Sequence, residues 1–313
     1  MPRAPKTIPL SSASSSGVHF ANLYQCCQRK FFIKYVIRPA PKYISPPLLY
    51  GTALHEGLAT FYKTKSVARA KAKALSEIKK VQSLFEHDAD FRIALYRLPI
   101  LISHWAMTQG MLDLDRYEIL GVEEDFREEL PGLPGFYFTG RMDLLVRDKA
   151  NGNVYVVDHK TSSSSKDITR DALTYGDQAT GYIWLAQKKL GVTVSGMIGD
   201  CLYWHRNATS ESNIDCFRTA PITRNGHEIR AFLLGLQQIF SEISQKVAAY
   251  RNGFDEDGLF PRNTFYCVSY GKLCEYATFC RTKMKPNALP MGFEKDRRQH
   301  ELGGQVEDQI CES

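Results

Sequence analysis

Gly140-Arg141-Met142-Asp143 and Val154-Tyr155-Val156-Val157-Asp158-His159-Lys160-Thr161 decide how this chain folds. The first lies in a strand expected over Phe136 to Arg147, the second in a strand expected over Val154 to Lys160. Between them, Asp148-Lys149-Ala150-Asn151-Gly152-Asn153 contains Asn-Gly, a strong hairpin-turn signal. Side chains two apart share a strand face, so Asp158 and Lys160 project together while His159 points the other way. Asp143, on the neighbouring strand, can join them. Two carboxylates beside an ammonium suit a hard divalent cation, with the lysine placed to orient or deprotonate water or to steady a developing negative charge. Phosphodiester hydrolysis needs that combination. An isolated Asp-x-Lys is usually a plain ion pair, but here the apolar run Val154 to Val157 carries the charges straight out of a buried strand.

The rest of the chain bounds what this hairpin can belong to. At 313 residues, 43% hydrophobic and 24% charged, it can bury a sizeable core as one large domain or two small ones. Its formal charge of +6 suits a polyanionic partner, although lysine-rich helices alone would give the same balance. No apolar run reaches the length of a membrane span, and Met1-Pro2-Arg3-Ala4-Pro5-Lys6 is not followed by a secretory segment, so a cytoplasmic location and no membrane partner are expected. Residues 1–13 and 285–313 are polar and read as disordered ends.

Between those ends, Phe20, Leu23, Tyr24, Cys27, Phe31 and Tyr35 recur at helical steps, predicting one amphipathic helix from Ser14-Ser15-Ser16 to about Arg38. After a proline-rich connector, Pro39 to Pro47, a helix carrying His55 should open at Gly51 and run to about Lys65, its small residues bringing it close to a neighbour. His55 taken alone reads as a buried or capping histidine. Residues 66–117 form a helical insertion, with helices over Val67 to Leu84 and Phe91 to Leu112. A third strand runs through Tyr117 to Arg127, where the acidic run Glu123-Glu124-Asp125 reads as an exposed edge. Arg141 pairs with a site carboxylate, a phosphate or an ordinary strand partner.

Beyond the hairpin, Ser162-Ser163-Ser164-Ser165 is a polar loop, and a helix over Asp171 to Leu190 puts Gln178 and Tyr182 one turn apart on one face. A strand over Val194 to Trp204 should return to the sheet, followed by a long helix near Glu228 to Tyr250. Cys267, Cys274 and Cys280 then fall within fourteen positions. In a chain expected to be cytoplasmic, such clustering points to a metal rather than to disulfides. No histidine lies among them to complete a local set, so a fourth ligand must come from elsewhere.

Four ordered motifs carry a resemblance: Gly51-Thr52-Ala53-Leu54-His55, Gly140 to Asp143, Asp158-His159-Lys160-Thr161, and Gln178-Ala179-Thr180-Gly181-Tyr182. With the cysteines, they resemble the PD-(D/E)XK nucleases, and within them the RecB-like exonucleases with an iron–sulfur cluster, CRISPR-associated and AddB-type, over roughly residues 15–282. The resemblance implies an α/β restriction-endonuclease-like core over 14–284, a mixed central sheet flanked by helices. It implies that His55, Asp143 and Asp158 hold Mg²⁺ or Mn²⁺, that Lys160 aligns water and stabilises charge, and that Gln178 and Tyr182 align substrate. Glu123 sits where related nucleases often place an acidic residue, against its reading as part of an exposed acidic edge. Tyr24-Gln25-Cys26-Cys27-Gln28-Arg29-Lys30-Phe31 matches the family's first cluster-ligand segment, with Gln28 in place of proline, and selects Cys27 over Cys26. Cys27, Cys267, Cys274 and Cys280 would then hold a [4Fe-4S] cluster, stapling the N-terminal region to the segment 260–282, with zinc as the rival. The implied activity is a DNA exonuclease acting on single-stranded ends, with a helicase or recombination partner. A structure-specific endonuclease and a non-catalytic DNA-binding subunit are the alternatives.

Overall fold

The computed structural model describes residues 17–37, 39–41, 46–80, 82, 85, 89–162, 166–204, 214–269, 272–281 and 293–295. The chain divides into two compact units, one of Ile44–Phe126 and Arg141–Glu228, the other of Met1–Tyr43, Arg127–Gly140 and Ile229–Ser313.

The first unit is built on a five-stranded mixed sheet whose spatial order follows the chain: β1 (Tyr117–Glu129), β2 (Tyr137–Asp148), β3 (Val154–Ser162), β4 (Val194–Trp204) and β5 (Ile214–Arg218). The β2–β3 hairpin forms as expected, antiparallel, with Leu145 opposite Val156. At its turn Gly152 adopts φ +76°, a conformation that favours glycine, and the Asp148 carboxylate accepts the Ala150 N–H at 2.9 Å. β4 then lies parallel to β3, pairing His159 with Asp200 and Lys160 with Cys201. That parallel step requires a crossover, and the helices Lys166–Tyr175 and Asp177–Leu190 supply it. The single helix expected over Asp171 to Leu190 is broken at Gly176, where an added Cβ would lie 2.5 Å from the Ala172 carbonyl oxygen.

One face of the sheet is covered by α1 (Pro46–Thr64), α2 (Val67–Lys79) and α3 (Ala89–Trp105), whose buried residues form one cluster with Leu144, Val146, Val157, Ile198 and Leu202 of the strands. Helices α2 and α3, which lie in the expected insertion 66–117, contribute to this core. Each fully buried Leu or Phe here contributes about 1.5–3 kcal/mol, and Leu54, Leu58, Phe61, Leu98 and Ile102 are all fully buried. Helix α1 begins earlier than expected, because proline is tolerated in a first turn, where no intrahelical N–H bond is lost. Gly57 is what lets α1 approach its neighbours: a Cβ there would meet Ile102 Cδ1 at 2.9 Å and Ala74 Cβ at 3.0 Å.

A buried polar cluster runs through this core. Asp200, wholly buried, accepts hydrogen bonds from Trp105 Nε1 at 2.7 Å and from Arg218 Nη2 at 3.1 Å. Arg218 also grips Asp113 through both terminal nitrogens at 2.5 and 2.6 Å, and the Tyr62 hydroxyl donates to Asp113 at 2.5 Å. Burial opposes ionisation of Asp200, but the Arg218 guanidinium outweighs it and holds the carboxyl well below its ordinary range. The folded pKa is thus depressed, so the ionised Asp200 stabilises the fold fully above the unfolded value of about 3.9, and that contribution declines below it and is lost as pH falls through the lower folded pKa. Asp200→Asn is expected to lose about 3 kcal/mol at pH 7, and the gap to wild type should narrow below about pH 4. Urea titrations at pH 7 and pH 3.5 measure this, and a gap independent of pH would refute the assignment.

In the second unit the N-terminal helix is not continuous. It spans Val18–Cys26, and Cys27 turns extended (φ −158°, ψ 105°) before Gln28–Phe31 resumes. The physical reason is capping, since Cys27 Sγ accepts the Lys30 N–H at 3.5 Å and takes the role of an N-cap side chain. Phe20, Tyr24, Phe31 and Phe32 are buried, as are Leu236, Phe240, Ile243 and Val247 of the long helix Gly226–Arg251. Phe32 stacks on Phe260 at 4.6 Å, the Arg29 N–H donates to the Pro261 carbonyl at 3.2 Å, and Arg29 pairs with Asp257. Pro39–Pro41 pairs antiparallel with Phe293–Lys295, three residues of the tail expected to be disordered. Residues 1–13, the remainder of 285–313 and Ser163 to Ser165 lie outside the described residues.

Candidate metal centre and cysteine pocket

Three elements of the sheet unit converge on one carboxylate. Asp143, on β2, is buried and accepts the backbone N–H of His159 at 2.7 Å through Oδ2. Its Oδ1 lies 3.2 Å from His55 Nδ1, presented by α1. Glu123 of β1 completes the group, with Oε1 3.7 Å from the same His55 nitrogen. One ligand atom from each of His55, Glu123 and Asp143 lies within 4.8 Å of the others, the spacing of groups that can share one cation. Glu123 reaches this position from φ +54°, a conformation uncommon for a side-chain-bearing residue and concentrated at functional sites.

Asp158 stands beside this group and has its own partners. Its Oδ1 accepts from Lys160 Nζ at 3.0 Å and from Gln178 Nε2 at 3.1 Å. Oδ2 lies 2.8 Å from Lys160 Nζ yet receives no directed hydrogen bond, although it is buried. Tyr182 lies one turn beyond Gln178, and burial followed by the Asp158 charge raises the phenol's pKa. The fold therefore brings together every residue expected at this site, and Glu123, which the acidic run placed on an exposed edge, joins them. It does not gather Asp158 into the three-ligand group with His55 and Asp143. Arg141 belongs elsewhere: it forms a two-pronged ion pair with Asp125, at 2.8 and 2.9 Å, on the exposed side of the sheet.

The electrostatics follow from burial set against charge. Desolvation disfavours ionised His55, but Asp143 and Glu123 overcome it and lift the imidazole to about 10. Burial likewise raises Asp143, and the facing His55 reverses this, bringing it to about 2. Burial opposes the Lys160 ammonium, yet Asp158 and Asp143 together raise its pKa. For Asp158 burial wins, aided by repulsion from Asp143, and its pKa rises although Lys160 is in contact. The two shifts differ in outcome because Lys160 faces two carboxylates and Asp158 faces one ammonium and a like charge. A site with three carboxylates, a histidine and an undirected buried carboxylate oxygen fits a divalent cation, which takes oxygen and imidazole ligands.

In the second unit, one pocket is lined by Cys27, Cys267, Cys274 and Cys280 together with Lys30, Arg262 and Tyr266. The short pairing of Val268–Ser269 with Lys272–Leu273 and the Cys274 N–H to Cys267 carbonyl bond at 2.8 Å fold this segment back on itself. All four thiols are free. Burial pushes Cys274 and Cys280 up, and Arg262 and Arg29 draw Cys280 partly back.

A carboxylate–lysine centre on the inner strands of a mixed, helix-flanked sheet suits metal-assisted phosphodiester hydrolysis, and comparison makes the class specific. The family model of the PD-(D/E)XK nuclease superfamily matches residues 18–281. The chain belongs to this superfamily, and so to the hydrolases that act as nucleases. Among solved structures, the chain is similar to one described as the crystal structure of LHK-Exo in complex with dAMP, at 14% identity and a TM-score of 0.29, covering 66% of this chain and 96% of the other. No curated protein matches the chain by sequence. Among the described residues, no helix is long and apolar enough to cross a membrane.

Proposed function

We propose that this nuclease is a divalent-metal-dependent DNA exonuclease that hydrolyses phosphodiester bonds from single-stranded ends, and that it is of the RecB-like iron–sulfur type. The observation that carries the reading is the convergence of His55, Glu123 and Asp143 beside the Asp158–Lys160–Gln178 set. Asp143, Glu123 and His55 would hold a Mg²⁺ or Mn²⁺ ion, with Asp158 Oδ2 free to turn toward it or toward a second ion. Such an ion supplies charge against the phosphate and lowers the pKa of the water it binds.

The remaining chemistry belongs to the chain. With its raised pKa, Lys160 is an ammonium at neutral pH, so its task is to orient water by donation and to oppose charge developing on the phosphate, not to remove a proton. Gln178 fixes Asp158 and, with Tyr182, faces the substrate backbone. Contacts made mainly to phosphates give binding that weakens with salt and ignores sequence.

The cysteine pocket supports the cluster part of the reading: Cys27, Cys267, Cys274 and Cys280 line one space, and four thiolates are the ligand set of a [4Fe-4S] unit. Zinc in the same four thiolates is the rival.

The test of end dependence is incubation of cluster-intact protein and Mn²⁺ with labelled linear single-stranded, linear double-stranded and circular single-stranded DNA. Loss of the linear strand with the circle intact is expected. Cleavage of the circle at the same rate would replace the exonuclease by an endonuclease, and binding of all three without cleavage would leave a non-catalytic DNA-binding subunit.

A further inference from the structure

Behind the candidate metal centre, the residue between Asp158 and Lys160 points into the core. His159 is buried, and its Nδ1 meets Asp200 Oδ2 at 3.0 Å. Asp200 Oδ2 also accepts from Trp105 and Arg218, so it is the acceptor here as well, and Nδ1 is the nitrogen that donates a hydrogen bond to it. The ring stacks on Tyr62, centroids 5.9 Å apart, and meets Trp105 edge-on at 5.7 Å and His55 at 6.4 Å. Tyr62 and His55 lie seven residues apart in α1, two turns along one face. The imidazole therefore touches the helix that presents His55, while its own backbone N–H is bonded to Asp143.

This arrangement is expensive as core packing. His159 Nε2 and Asp200 Oδ1 are buried without hydrogen-bond partners, and a polar network left incomplete is worse than apolar side chains of like volume. What it fixes is geometry. The Asp200 bond locks the ring, the ring fixes the orientation of the peptide preceding it, and that peptide's N–H is aimed at Asp143 Oδ2. The same ring sets the depth at which α1 packs, and with it the 3.2 Å spacing of His55 from Asp143.

We propose that His159, held by Asp200, is a positioning residue that sets the spacing of His55 and Asp143 for cation binding. The proposal rests on the reading of those two residues as cation ligands. Partners behind metal ligands typically alter metal affinity or activity by about 10–100-fold when removed.

The test is Mn²⁺ binding to the full chain without DNA, followed by electron paramagnetic resonance, in wild type, His159→Phe, His159→Asn and Asp143→Asn. Phe keeps the ring contacts but cannot donate to Asp200, whereas the Asn amide can stand where Nδ1 stands. Asp143→Asn should abolish tight binding. His159→Phe should weaken it at least about tenfold, and His159→Asn should recover most of the loss, with melting temperatures of the two His159 variants alike. If Phe fails to fold, His159→Leu is the apolar probe. Equal affinity in wild type, Phe and Asn, with Asp143→Asn still deficient, overturns the positioning role alone. Loss that follows melting temperature, with Asn no better than Phe, also overturns it in favour of a structural role. Tight binding that survives Asp143→Asn overturns both this inference and the assignment of the metal ligands.

Discussion

Lys160→Ala is expected to lower single-turnover DNA cleavage by about 10²–10³-fold or more, the loss typical of removing one preorganised donor that acts on transition-state charge. The lysine side chain is only a third exposed and lies 2.8 Å from Asp158 Oδ2. Removing it subtracts the charge that opposes the phosphate, and it leaves Asp158 buried against Asp143 with Gln178 as its remaining donor. Asp158 should then bind a proton more readily, adding to the defect. Lys160→Arg should rescue little, because a planar guanidinium cannot stand in for a compact ammonium in this setting. The strand itself is held by Val154 to Val157 and by the full-length pairing with β4, so circular dichroism should be unchanged. A Lys160→Ala protein that cleaves within tenfold of wild type would remove the lysine from the chemistry.

The second large effect concerns the cysteine pocket. Protein purified without oxygen should be brown and contain iron, and Cys27→Ala or Cys274→Ala should each bleach it. Metal binding that organises a segment is itself folding free energy, so a loss of several kcal/mol is expected. At about 2–4 °C per kcal/mol for a chain region of this size, the melting temperature should fall by about 10 °C. The consequence should be concentrated in the unit that joins Cys27, Phe32 and Arg29 to Phe260, Pro261 and Asp257. Zinc without iron in the purified protein, or a Cys27→Ala protein that keeps the chromophore, would rule out the four-cysteine cluster.

Much of this architecture is legible in the sequence because strands announce themselves by period and turn. The Asn151-Gly152 turn, the alternation around Tyr117 to Arg127 and the apolar run ending in Asp158 locate β1, β2 and β3, and β4 falls on Val194–Trp204 as expected. Helix breaks are less visible, since Cys27 ends a helix by capping the next one and Gly176 turns extended where a side chain would collide with the Ala172 carbonyl, neither of which alters the apolar spacing. β5 is not legible, being a five-residue strand whose Ile-Asp-Cys-Phe-Arg pattern carries little signal. At the site, His55, Asp143, Asp158, Lys160, Gln178 and Tyr182 stand out through their motifs. Glu123 stands out less: it falls where related nucleases often place an acidic residue, but an acidic triplet on a strand normally marks a solvated edge and its left-handed backbone has no signature in a residue other than glycine. Asp200 and His159 read singly as ordinary polar residues, and only the parallel register of β3 and β4 makes them a pair.

The central claim is that the hairpin-borne carboxylates make this chain a metal-dependent nuclease. The most direct measurement is release of labelled nucleotide from linear single-stranded DNA by wild type and Asp158→Asn, with Mn²⁺ and with EDTA. Release by wild type with Mn²⁺ alone, abolished by EDTA and by the single substitution, is the predicted result. Release that persists in Asp158→Asn or in EDTA would contradict it.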